Sequence, residues 1–207
     1  MSTKNQTLCK ELVTGWSHYI EVKDESSHGI GGIIIGKEKS CIPTVFCLYW
    51  EDDIKELFHK GKIKNLDLEM AILLMLWLVM EEVYPKLRAD YVALFSDNSP
   101  TIGWVKRLTA RGSLVAMQLV RALTLQLKDP WASPLTPLHI SGEENAMRDI
   151  PSRSFGSNIS WFCKTDTDLL KTFNKKSPFP NQASWTVFSP SNTVSMKVIS
   201  VLRMQHF

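Results

Sequence analysis

Asp67-Leu-Glu-Met-Ala-Ile-Leu-Leu-Met-Leu-Trp-Leu-Val-Met-Glu-Glu-Val83 is made of good helix formers, contains no Gly or Pro, and is apolar nearly all round. A surface helix keeps one polar face, so this helix must be buried on more than one side. Its most hydrophobic part, Ala71 to Met80, is closed off by Glu69, Glu81 and Glu82 and is too short to span a bilayer. It belongs in the core of a layered domain.

On the amino side of that helix, Trp16 to Lys23 alternates as a strand does and ends in a turn-like segment. Ile30 to Ile35 is an apolar run with Gly29, Gly31 and Gly32 at its head, where tight packing or a bulge is the reading. Ile42 to Trp50, rich in Val, Phe, Tyr and Trp, is a third strand, and charged residues follow it directly. Three consecutive antiparallel strands are the simplest topology.

On the carboxyl side, Tyr91 to Phe95 is a short apolar run that stops at Ser96-Asp97-Asn98. Thr101 to Leu108 and Leu114 to Leu127 have helical spacing, with Gly112 and Ser113 as the break between them. Pro134 to Ile140 gives a further strand closed by Ser141-Gly142, and Glu143 to Ile150 begins another helix. The order β-β-β-α-β-α-α-β-α predicts a mixed α/β (α+β) fold: one five-stranded mixed sheet with helices on its faces. Residues 1–15 read as a polar lead and 16–156 as the folded domain. Residues 157–207 read as a weakly structured C-terminal tail, broken by Pro178, Pro180 and Pro190, with a short helix at Asp168 to Phe173 and an apolar stretch at Val194 to Leu202.

The 207 residues are 44% hydrophobic and 22% charged, which suits one globular domain plus a tail and excludes wholesale disorder. The net charge of +3 comes from the end of the chain: residues 157–207 carry six Lys/Arg against two Asp, leaving eighteen basic and nineteen acidic residues before them. Charge alone therefore makes no case for nucleic acid. The polar start has no signal-peptide run, and the four cysteines form no C-x-x-C pair and have no histidines at zinc spacing. An intracellular protein, cytoplasmic or nuclear, with reduced thiols and no membrane partner is expected.

Asp24 closes the first strand, Glu69 lies in the first turn of the buried helix, Asp97 ends the fourth strand, and Asp149 follows the fifth. Carboxylates at strand ends on one sheet edge point into a common cleft, and clustering them costs several kcal/mol unless cations neutralise them. Hard oxygen ligands favour Mg²⁺ or Mn²⁺. Each residue has a plainer role when taken singly: Asp97-Asn98 as a helix cap, His139 as an exposed histidine, and Lys106, Arg107 and Arg111 as a solvated face.

Three stretches together resemble the ribonuclease H domains attached to retrotransposon reverse transcriptases. Asp24-Glu-Ser-Ser-His-Gly-Ile-Gly-Gly is similar to that family's D-x-S-x-x-G-x-G, and Phe95-Ser-Asp97-Asn98 to its apolar run plus D-N. His139-Ile-Ser-Gly-Glu-Glu-Asn145-Ala-Met-Arg-Asp149-Ile-Pro-Ser-Arg153 resembles H-x-x-G-x-x-N-x-x-x-D-x-x-S-R. The likeness covers about Trp16 to Phe155. Asp24 stands between Lys23 and Glu25 where the pattern has an apolar residue and Ala; strand alternation turns both neighbours away from it.

The resemblance implies that Asp24 bridges two Mg²⁺ ions (Mn²⁺ being the substitute), with Glu69 and Asp97 on one and Asp149 on the other. Two such ions about 4 Å apart stabilise attacking and leaving oxygens of an in-line displacement. It implies a mobile role for His139, which lies ten residues before Asp149, in proton transfer or product release. The implied substrate is the RNA strand of an RNA·DNA hybrid. Gly29, Asn98 and Asn145 are candidate contacts, the first two as readers of 2′-hydroxyls, and Lys106, Arg107 and Arg111 are candidate phosphate contacts. The polymerase portion of the parent polyprotein is the implied missing partner; the oligomeric state is left open. A different class of function is a catalytically silent relic that retains a nucleic-acid-binding fold. An integrase core and a proofreading exonuclease fit less well, since neither a His₂Cys₂ pattern nor D-x-E in the first strand is present.

Overall fold

β1 (Ser17–Ser26), β2 (Gly29–Gly36) and β3 (Thr44–Tyr49) form an antiparallel meander. A computed structural model describes residues 17–26, 29–36, 43–85, 91–128, 134–141 and 186–204. After β3 come α1 (Asp52–His59) and α2 (Asn65–Val83), then β4 (Tyr91–Ser96), α3 (Ser99–Arg107), α4 (Leu114–Leu127) and β5 (Leu135–His139). β4 pairs in parallel with β1, and β5 in parallel with β4. The mixed α/β architecture is thus present.

Among the described residues the sheet has six strands, in the order β5-β4-β1-β2-β3-β6, where the sequence predicted five. The additional strand, β6 (Thr186–Phe188), runs parallel to β3, and the Thr186 N–H donates to the Pro43 carbonyl at 2.9 Å. It is followed by α5 (Asn192–Arg203), whose N-cap Ser191 accepts from the Val194 N–H at 3.3 Å. Val194, Val198, Ile199, Val201 and Leu202 of α5 join the same buried cluster as α2. Residues 186–204 therefore do not form a weakly structured tail. Three residues of strand are too short to show alternation, and the edge of β3 recruits them because its unpaired backbone groups need partners. The helices expected at Glu143 to Ile150 and Asp168 to Phe173 lie outside the described residues.

α1 was not foreseen either. Half of its residues are charged and Ile54 is the one fully buried; Ile54, Leu57 and Phe58 at i, i+3 and i+4 form its apolar face against the core, after Asp52 and Asp53 in the first turn. By contrast α2 is buried from Asp67 through Met80, with α4 and α5 against it and the sheet beneath. Among the described residues no helix is long and apolar enough to cross a membrane.

Gly32 sets how α2 sits on the sheet. A Cβ there would lie 2.6 Å from Phe46 Cε1 and 2.8 Å from Leu76 Cδ1, so the absent side chain is what admits the Leu76 tip to the strand. Gly32 is paired with Val22 of β1 on one side and Phe46 of β3 on the other.

α5 is held at both ends. The Ser191 N–H donates to Glu82 Oε2 at 3.1 Å near the end of α2. At its far end Arg203 donates to Asp53 Oδ2 and Glu51 Oε2, both at 2.6 Å, just beyond β3. The hydrogen bond from Arg203 holds the Asp53 carboxyl below its ordinary value of 3.8 against the opposing effect of desolvation, with a smaller contribution from the guanidinium charge, and the Arg203 guanidinium is raised in turn.

Gly32→Ala is expected to destabilise the fold by about 1–3 kcal/mol through overpacking, read as a lower urea midpoint; an unchanged midpoint would contradict this seating. For Arg203→Gln the loss is roughly 0.5–1 kcal/mol, since the ion pairs are half exposed. Because the Asp53 value is depressed, that stabilisation is complete above pH 3.8 and fades as pH falls through the folded value. Melting curves should therefore separate variant and wild type at neutral pH and converge in acid; an equal gap at both would rule out the pairing.

Candidate metal and nucleic-acid site

The carboxyl ends of β1, β4 and β5 share one edge because the three strands are parallel neighbours. Glu21 of β1 pairs with Phe95 of β4, so Asp97, two residues beyond Phe95, stands level with residue 23 and next to the Asp24 position. Ser96 pairs with His139 of β5, and the Ile140 N–H donates to the Ser96 carbonyl at 3.1 Å. Asp24, Asp97 and His139 thus occupy three adjacent positions along the edge. Asp24 falls in the register irregularity of the β1–β2 pairing between Lys23 and Ser26.

Glu69 reaches the same edge from α2. It precedes Leu76 by seven residues, two helical turns to within about 20°, so it lies on the face that Leu76 turns to Gly32. It is displaced from Leu76 by about 10 Å along the axis, roughly three residues of strand. The direction of that displacement follows from α5, which starts beside Glu82 near the end of α2 and finishes beside Glu51 and Asp53, past the carboxyl end of β3. β3 runs in the same direction as β1, so α2 begins at the carboxyl edge. From the level of Val22, three residues onward is the Asp24–Glu25 level. The Glu69 residue is 5% exposed.

Asp97 is half-buried and its backbone carbonyl lies 3.1 Å from His139 Nε2. A carbonyl only accepts, so this contact requires the proton on Nε2 and leaves Nδ1 as the basic nitrogen of the neutral ring. Asn98 caps α3: its Oδ1 accepts from the Thr101 N–H at 3.0 Å and from the Thr101 hydroxyl at 2.8 Å. The cap does not use the side-chain amide hydrogens, which are the donors a ribose hydroxyl would need. Gly29 opens β2 and is buried opposite Tyr49.

Lys106 and Arg107 are exposed at the far end of α3, about 10 Å of helix beyond its start, and the Arg107 guanidinium folds back over Gly103. Arg111 is exposed in the turn before α4. These three cations are not gathered at the carboxylates. Asp149 and Asn145 lie outside the described residues.

Among the described residues no three His, Cys, Asp or Glu side chains are grouped to hold a metal. Of the four acids, Glu69 and Asp97 have described side chains, and both are carboxylates, the donor type that hard cations such as Mg²⁺ and Mn²⁺ take. What the sequence did not reveal is the partner of Asp67: this buried carboxylate accepts from the Ser113 hydroxyl and from the Lys64 N–H, the latter at 2.8 Å. A Ser directly before the apolar run of α4 signals an N-cap, but nothing local in either segment pairs it with Asp67.

Asn98→Ala should cost about 1 kcal/mol by removing the α3 cap, measured by denaturant unfolding. A neutral result would show that Asn98 does not hold the turn that follows Asp97.

No family model matches the chain, and no curated protein or solved structure matches it either. The functional reading therefore rests on these residues and their placement.

Proposed function

We propose that the chain is a metal-dependent endonuclease of ribonuclease H type that hydrolyses the RNA strand of RNA·DNA hybrids. The observation that carries this reading is the common edge: Asp24, Asp97 and His139 on three parallel strand ends, with the sheet-facing Glu69 of α2 above them. The central β1, flanked by a meander on one side and parallel crossover strands on the other, also supports a ribonuclease H-like fold, extended by β6.

In this reading Asp24, Glu69, Asp97 and Asp149 would hold Mg²⁺, which would supply charge neutralisation and water activation at the scissile phosphate. Glu69 is 5% exposed, so its carboxylate is presented from the protein interior and not from solvent. His139, fixed through Nε2 to the Asp97 carbonyl, offers Nδ1 to take up or release a proton beside the cut bond. The Asn98 amide hydrogens and the backbone near Gly29 approach the 2′-hydroxyls of the RNA strand, with Asn145 as a further contact. Lys106, Arg107 and Arg111, a helix length away, suit the phosphates of the other strand, and each such contact adds salt sensitivity.

Purified chain should cleave a labelled RNA·DNA hybrid with Mg²⁺ and not with EDTA. Asp24→Asn or Asp97→Asn should fall to the EDTA level while the melting temperature is unchanged or higher, because repulsion among the acids is relieved. Wild-type cleavage in either variant would refute the assignment. Hybrid binding without cleavage by the unaltered chain would instead favour the catalytically silent relic.

A further inference from the structure

The Asp67 carboxylate joins two helix starts. Lys64, whose N–H donates to Oδ2, is the N-cap of α2 itself; Ser113, whose hydroxyl donates to Oδ1, is the N-cap of α4. The Ser113 hydroxyl oxygen also accepts from the Ala116 N–H at 3.2 Å. One side chain therefore closes the first turn of α2 and pins it to the first turn of α4.

A carboxylate that is 1% exposed is a costly choice at the head of a helix whose next apolar positions, Leu68 and Met70 to Met80, are all buried. Packing alone would be served by another apolar residue. The position does serve Glu69. Asp67 and Glu69 are two residues apart, about 200° around the helix, so when Asp67 is fixed toward α4 in the helix layer, Glu69 is turned toward the sheet. First turns of helices fray unless tied, and a metal ligand must be held within about 0.5 Å of its productive position.

We infer that Asp67 and Ser113 are positioning residues for Glu69, a latch that fixes the rotation and axial setting of the first turn of α2 at the sheet edge. The inference rests on the metal-site reading given above. Both Asp67 oxygens are engaged, one by the Lys64 N–H and one by the Ser113 hydroxyl, so it acts through the turn that carries Glu69.

Mn²⁺ alone is the probe, titrated into the full chain by calorimetry and by the metal-induced rise in melting temperature. Ser113→Ala and Asp67→Asn should weaken the Mn²⁺ midpoint about 10-fold, as loss of outer-shell support does, and Ser113→Thr should restore it. Arg203→Gln, which breaks the ion pairs at the end of α5 and alters neither Asp67 nor Ser113, should lower stability yet keep the wild-type Mn²⁺ midpoint. The latch is overturned if folded Ser113→Ala and Asp67→Asn bind Mn²⁺ as wild type does, or if Arg203→Gln weakens binding as much as they do. Absence of any Mn²⁺ response in the unaltered chain would sink the metal site itself, and the latch with it; a wild-type response with indifferent variants would sink the latch alone.

Discussion

Gly32 leaves open the space that Leu76 and Phe46 share, and α2 comes down directly onto the sheet there. A side chain at that point would hold the helix off β2 and tilt its ends. With the helix seated, everything else about it follows by helical arithmetic: the face toward the sheet contains Leu76 and, two turns earlier, Glu69. Packing density in the core makes this setting discrete, since a close-packed interior does not deform smoothly. The chemistry proposed at the edge thus depends on a contact in the middle of the sheet.

The helix layer answers that contact from the other side. α4 meets the start of α2 through Ser113 and Asp67, while α5 meets its end through Ser191 and Glu82 and then reaches the end of β3 through Arg203. Each tie is polar and placed at a helix terminus, where backbone groups lack partners within the helix. The apolar middle of α2 supplies the stability, and the polar ends supply the register. A helix that is apolar on all sides has little in its own pattern to set its rotation, so these end contacts matter more here than in an amphipathic helix.

Much of this was legible in the chain. The burial of α2 followed from its lack of a polar face, the first four strands from β-branched and aromatic runs, and the place of Asp97 just past β4 from the apolar run that stops there. The parts that were not legible share a physical cause. β6 is three residues long, so alternation has no room to show, and it is a strand only because β3 offers an edge. α1 is eight residues long, so Ile54, Leu57 and Phe58 give a single helical repeat with one of the three fully buried. The Asp67–Ser113 pair joins residues forty-six positions apart, and no local spacing encodes a contact made by two helices arriving at one place. Asn98 had two readings in the sequence, and the geometry assigns its carbonyl oxygen to the α3 cap.

Anomalous diffraction from crystals of the chain grown with Mn²⁺ would test the spatial claim most directly. The account requires metal density at the carboxyl edge, shared by the carboxylates of Asp24, Glu69, Asp97 and Asp149. Carboxylates directed to separate faces, with no manganese among them, would contradict it.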